Sequence, residues 1–176
     1  SAPSSAAGAL IAPLPSGPTV PTLVTSWFAF TRIFGGLDRA YPATFGANLF
    51  FRAGGRELYV NRVVKANAVK ADGDILDSAA TDVWGTFTAK SKGTYGNDLR
   101  IRITVNAADL YDVEVLQEAG VDADASDDTI LESYYNLDLS VFGAQEIVDV
   151  FAIRSQFVDF AWGPSGTGLT VATSFS

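Results

Sequence analysis

Apolar and polar positions alternate most regularly between residues 99 and 118. In Leu99-Arg-Ile-Arg-Ile-Thr-Val the apolar side chains Leu99, Ile101, Ile103 and Val105 fall at every second place, with Arg100, Arg102 and Thr104 between them. Period two marks a strand with one buried face. Tyr111-Asp-Val-Glu-Val-Leu-Gln-Glu repeats the pattern, placing Tyr111, Val113 and Val115 inward and Asp112, Glu114 and Glu118 outward. A hairpin closing through residues 106–109 sets Arg100 opposite Glu114 and Arg102 opposite Asp112, exposed pairs worth only about 0.2–1 kcal/mol each. The charges help fix register, and the inward row supplies most of the stability.

Residues 22–64 read strand, helix, helix, strand. Ser26 stands where an N-cap belongs, Trp27, Phe30, Ile33 and Phe34 follow at helical spacing, and Gly35-Gly36 stops the helix. A second helix starts near Pro42 or Ala43, buries Phe45, Leu49 and Phe50, and ends at Gly54-Gly55. In the exit strand Leu58, Val60 and Arg62 share one side while Tyr59, Asn61 and Val63 share the other, the pattern of a strand partly covered by helices. Further along, residues 83–90 read as a strand interrupted by Gly85. Ile147, Val148, Val150, Phe151 and Arg154 define a third helix. Residues 157–175 read strand, turn, strand. Gly163-Pro-Ser-Gly-Thr-Gly looks superficially like a phosphate loop, but it lacks the Lys-Ser/Thr and the following helix, so it reads as a hairpin turn. Residues 65–82 show no sustained apolar period and read as a long excursion.

These elements predict an α+β fold: a mixed, mostly antiparallel sheet of about six or seven strands with about three helices packed on it, plus an extended N-terminal arm. The expected inward set is Leu23, Trp27, Phe30, Phe34, Leu49, Tyr59, Phe87, Leu99, Ile101, Ile103, Val113, Val115, Ile147 and Phe151. Residues 1–21, with Pro3, Pro13, Pro15, Pro18 and Pro21, take a polyproline-like course unsuited to a central sheet. They read either as a disordered terminus or as an arm that orders across a neighbouring subunit, and residues 22–176 as one domain. On that reading, deleting residues 1–18 leaves the fold intact and tests the arm alone. No apolar run is long enough for a membrane span. The N-terminus lacks the basic start of a signal peptide, and without an initiator Met the chain reads as trimmed or as part of a longer one.

The chain has no cysteine and no histidine. That removes disulfides, thiolate chemistry, the usual general base and the commonest metal ligand together. Two of the twenty acidic residues could form a glycosidase pair, yet nothing singles out which. Neither catalysis nor a cofactor is expected. The net charge of -8 argues against nucleic acid as a partner. Its spread is uneven: residues 1–65 carry six basic and two acidic side chains, the remainder six basic and eighteen acidic. This is either ordinary solvated surface or the basis of head-to-tail association, which would weaken as salt rises. On the second reading Arg32, Arg39, Arg52 and Arg56 meet the acidic loop Asp122, Asp124, Asp127 and Asp128 of another copy. The same loop imitates the first ligands of a calcium loop, but Asp127 replaces the required Gly and Ser133 the final Glu, so solvation is the better reading. A monomeric binding module using Trp84, Tyr95, Tyr134 and Tyr135 is a further class, although those aromatics fit packing roles.

Three blocks, in order, resemble contractile-tail sheath proteins. Residues 21–36 are similar to the family's VTS-x-x-x-F-x-x-x-F-G, and Phe50-Phe51-Arg-Ala-Gly-Gly-Arg-Glu-Leu-Tyr-Val-Asn-Arg-Val to its FF-x-x-GG-x-x-x-Y-V-x-R-V. Residues 88–101, containing Gly93, Gly96 and Asn97, resemble A-x-x-x-G-x-W/Y-GN-x-L-x-V, a turn in which Gly and Asn tolerate positive φ. Glu132, Tyr134 or Tyr135, Asn136, Leu137, Ser155 and Val158 match a third block. The resemblance spans about residues 18–162. It implies a non-enzymatic subunit that polymerises into a helical sleeve around a tail tube and contracts to drive the tube through an envelope. The implied partners are further copies of the chain, the tube protein, and baseplate and tail-terminator proteins; the implied place is the virion, after assembly in the host cytoplasm. Family members continue into a C-terminal domain with no counterpart after Trp162. The chain therefore reads as a fragment, a reduced sheath, or an accessory cap or baseplate-proximal subunit.

Overall fold

Ser26 caps the first helix: its hydroxyl accepts the Ala29 N–H at 3.1 Å, and α1 (Trp27–Phe34) runs until Gly35, whose φ of 95° few other residues adopt. The computed structural model describes residues 7–76, 82–107, 110–119, 126–138 and 145–164. The chain divides into two units, Ser1–Val69 with Ser91–Tyr95, and Lys70–Lys90 with Gly96–Ser176.

In the first unit α1 and α2 (Ala43–Arg52) accompany a sheet of β1 (Ala7–Ala12), β2 (Thr22–Val24) and β3 (Glu57–Arg62). Strand order is β1-β3-β2, with β1 parallel and β2 antiparallel to β3. Leu14, Val24, Phe30, Phe34, Ala47, Leu58 and Val60 form its core. Trp27 stacks on Phe30 at 5.4 Å, and Phe30 meets Phe34 at the same distance. Three of the expected inward residues are exposed. Leu23 and Tyr59 are neighbours in register on the open face of the sheet, and Leu49 points away from the core. The phase of α2 differs because its packed side is built on Thr44 and Ala47, with Phe50 and Phe51 partly buried. Thr44 is fixed there by hydrogen bonding: its hydroxyl accepts the Asp38 N–H at 3.1 Å and donates to the Tyr41 carbonyl at 2.9 Å.

The Pro-rich N-terminal stretch contributes β1, which lies between Pro3 and Pro13 and pairs at the sheet edge, where the prolines flanking it do no harm. Beyond it Leu14 is buried, the Ser16 hydroxyl donates to the Ile33 carbonyl at 3.1 Å, and the Gly17 N–H donates to Ser91 Oγ at 2.9 Å. Arg62, on the buried side of β3 with Leu58 and Val60, holds this segment. Its Nε donates to the Leu14 carbonyl at 2.9 Å, Nη1 to Gly17 at 3.2 Å and Nη2 to Pro15 at 3.1 Å. Deleting residues 1–18 therefore removes core and hydrogen-bond partners and is expected to destabilise the first unit, against the expectation that the fold is indifferent to it.

The second unit holds β4 (Lys70–Leu76), most of β5 (Val83–Lys92), β6 (Leu99–Ala107), β7 (Leu110–Gln117), β8 (Thr129–Asp138), α3 (Gln145–Arg154) and β9 (Val158–Trp162). Two sheets form, β4-β5-β9 and the antiparallel β6-β7-β8. The α+β class and three helices stand; among the described residues the strands number nine, in three three-stranded sheets. The supposed excursion at 65–82 contains β4, hidden in sequence because Ile75 is its single buried apolar side chain. Phe151 of α3 is enclosed by Phe87, Tyr134 and Phe160, with ring centroids 5.0, 4.8 and 6.3 Å away. Tyr111, Val113 and Val115 are buried as the alternation predicts, whereas Val105, near the hairpin end, is exposed.

The β6–β7 register is displaced by two residues from the one expected: Arg102 faces Glu114, and Arg100 faces Leu116. A two-residue shift preserves which face each side chain occupies and changes only its partner. Arg100 is not outward in solvent. It is buried between Glu118, 2.6 Å from Nη2, and Asp128, 2.9 Å from Nη1. Immediately before the turn Thr94–Asp98, Gly93 has the positive φ of 101°, while Gly96 within it serves a different need: a Cβ there would come within 2.7 Å of the Ala89 side chain. Residues 165–176, with the end of the expected final hairpin, lie outside the described residues.

Candidate subunit interface

The outer sides of α1 and α2 carry what their inner sides do not need. Phe28 is 70% exposed and Arg32, one turn on, lies over its ring at 5.8 Å. On α2, Phe45, Leu49 and Arg52 follow at helical spacing on one exposed face, Leu49 at 68%. Arg39 and Arg56 are also exposed. All four arginines expected at a contact are thus in the first unit and open to solvent. The apolar residues beside them, Phe28, Phe45 and Leu49, were assigned to the interior or passed over. Sequence did contain a signal: Phe28 and Leu49 each lie about one helical turn from an arginine on the same face, and Phe45 two turns from Arg52. Apolar groups mixed with arginine are the composition of interface centres.

The acidic partners expected for them fare differently. Asp127 is exposed; Asp122 and Asp124 lie outside the described residues. Asp128 is internal, its side chain 1% exposed, accepting from Arg100 and, at 3.0 Å, from the Ala119 N–H. Charge still separates sharply by unit. The first carries seven basic and two acidic residues, the second five and eighteen. On the second unit, a cleft of about 530 Å³ is lined by apolar side chains that include Phe87, Leu99 and Ile101 and by the acidic side chains of Asp72, Asp74 and Glu118.

Residues of the third matched block meet one another. The Glu132 carboxylate accepts from Ser155 Oγ at 2.7 Å, the Gln156 N–H at 2.7 Å and the Tyr134 hydroxyl at 3.0 Å. Ser155 Oγ in turn accepts the Val158 N–H at 3.0 Å, joining the end of α3 to the start of β9. Lys90 donates to the carbonyls of Phe151, Ala152 and Ser155 and lies 3.3 Å from Asp159, a cation at the negative end of a helix. These are joints between elements. Among the described residues no three potential metal ligands gather, and no described helix is long and apolar enough to cross a membrane.

Burial, reinforced by Glu132, pushes the Tyr134 phenol up to about 12 from 10.0. The folded chain therefore holds this proton more tightly than the unfolded one. The resulting stability is intact below pH 10 and is lost as pH climbs toward 12. Urea melts across that range should show Tyr134→Phe losing less stability with pH than the parent chain. Parallel slopes would refute the assignment.

Solved structures share this architecture. The chain is similar to the sheath tail protein of Listeria innocua with a TM-score of 0.62 and 16% identity, over 96% of this chain and 32% of that protein. It is similar to the sheath tail protein of Desulfitobacterium hafniense with a TM-score of 0.59 and 19% identity, over 97% and 34% respectively. The likeness is one of fold, and the chain spans about a third of the length of either protein. No protein-family profile and no curated protein sequence matches.

Proposed function

We propose that this chain is a non-enzymatic structural subunit of a contractile tail sheath, its two units forming one sheath-like domain. Copies polymerise into a helical sleeve around a tail tube. Contraction drives the tube forward by exchanging one set of subunit contacts for another, with no bond chemistry. The observation that carries this reading is the likeness of almost the whole chain to part of two sheath tail proteins. The ordered sequence blocks add to it, because Arg62, Gly96, Glu132 and Ser155, each from a matched block, all occupy positions that join elements. Further copies and the tube protein are the expected partners, with baseplate and terminator proteins at the sleeve's ends. The virion tail is the expected location, after assembly in the host cytoplasm.

Electron microscopy of the purified chain and of the particle it comes from tests the reading. Sleeves or rings of the chain, and its presence along the tail, are the expected result. A chain that stays monomeric and is absent from any tail-like particle would exclude a sheath role and leave a binding module.

A further inference from the structure

We propose that the exposed stripe of α2 in one copy seats in the β4–β6 cleft of a second copy, with Phe45 and Leu49 against its apolar lining and Arg52 against Asp72 and Asp74. The contact deepens the polymerising role above and rests on it. Three observations carry it. First, Phe45 and Leu49 are large apolar side chains left in solvent on a helix whose opposite side is fully used by Thr44, Ala47, Phe50 and Phe51. Second, the cleft has the complementary make-up, lined by Phe87, Leu99 and Ile101 together with the carboxylates of Asp72 and Asp74. Its volume of about 530 Å³ is that of a pocket able to enclose protruding side chains. Arg100 also borders it, but that guanidinium is matched by Glu118 and Asp128, which leaves Asp72 and Asp74 as the excess. Third, the unit bearing α2 has a net charge of +5 and the unit bearing the cleft -13, so a second copy offers this stripe a surface of opposite sign.

The geometry of such a contact has a direct outcome. Stripe and cleft are different surfaces of one chain, so a copy bound through its stripe alone still presents its cleft. Contacts of this heterologous kind extend from copy to copy, into a ring where the rotation closes and an open helix where it does not.

The lack of cysteine makes a clean test available. Arg52→Cys and Asp72→Cys each place one thiol in the full chain, both at exposed positions. After mixing the two variants, one of them tagged, mild oxidation should give mostly the mixed 52-to-72 disulfide dimer. Adding Leu49→Glu to the position-52 variant should reduce that product about tenfold. In parallel, Arg52→Glu and Asp72→Arg should each weaken self-association about tenfold in sedimentation velocity, and the two in one chain should restore most of it. Circular dichroism melts matching the parent chain would confirm that the variants fold. A mixed disulfide no more abundant than the homodimers, or a double swap as weak as its singles combined, overturns the contact. If sleeves or rings still form in that case, the sheath reading survives without it. If the parent chain never associates, both fall.

Discussion

Arg62→Met should destabilise the first unit by about 3–5 kcal/mol and release residues 7–17 from protection against hydrogen exchange. Arg62 is 5% exposed, and its guanidinium donates to three carbonyls, those of Leu14, Pro15 and Gly17. Hydrogen bonds from a charged donor contribute about 1.5–3 kcal/mol each, and an acceptor left buried without a donor costs about 1–3 kcal/mol. Removing the desolvated charge offsets part of that loss: burial pushes the Arg62 pKa down from its ordinary value, against a smaller opposing effect of Tyr41. Three stranded carbonyls outweigh the refund. Arg62→Lys should recover only part, since the three carbonyls are met by three different nitrogens of a planar fork and a single ammonium nitrogen must reach them from one point. Denaturant melts with hydrogen exchange resolved by peptide would measure both effects. Wild-type protection over residues 7–17 in Arg62→Met would show that β1 pairing and Leu14 hold the segment by themselves.

In the second unit the largest single loss is expected from Asp128→Ala, about 3 kcal/mol or more. The Asp128 and Arg100 side chains are 1% and 6% exposed, so the substitution takes from a buried cation its most deeply buried carboxylate, leaving Glu118, itself 25% exposed, beside it. Replacing both partners should cost much less. Arg100→Met with Asp128→Leu exchanges a desolvated ion pair for apolar contact, which is often close to neutral. The comparison separates two explanations. If the double variant is as unstable as Asp128→Ala, the pair itself supplies stability; if it recovers, the single substitution measures an orphaned charge.

The parts of the fold that were legible in the sequence are those where one local rule decides. Ser26 and Gly35 bound α1 as capping chemistry requires, and the inward row Tyr111, Val113, Val115 follows from strand geometry alone. The misplaced residues are those where hydrophobicity and burial diverge. Leu49 and Phe45 are more apolar than Thr44 and Ala47, yet the small pair faces the core and the large pair faces solvent. Charge caused the opposite error. Arg100 has the alternation of an outward residue, and its burial depends on carboxylates 18 and 28 residues later, Glu118 and Asp128, which the local pattern does not reveal. β1 was concealed by the prolines around it. Of the candidate contacts, all four arginines were placed at the surface by sequence, but nothing local distinguishes Asp127, in solvent, from its neighbour Asp128, inside.

The end of α3 has a mechanical meaning. Lys90 of β5 grips it through three carbonyls, and Glu132 of β8 grips it through Ser155 and Gln156, just before β9 begins. The junction between helix and strand is thus clamped from two sides by five hydrogen bonds, so β9 cannot shift along its axis without disturbing both β5 and β8.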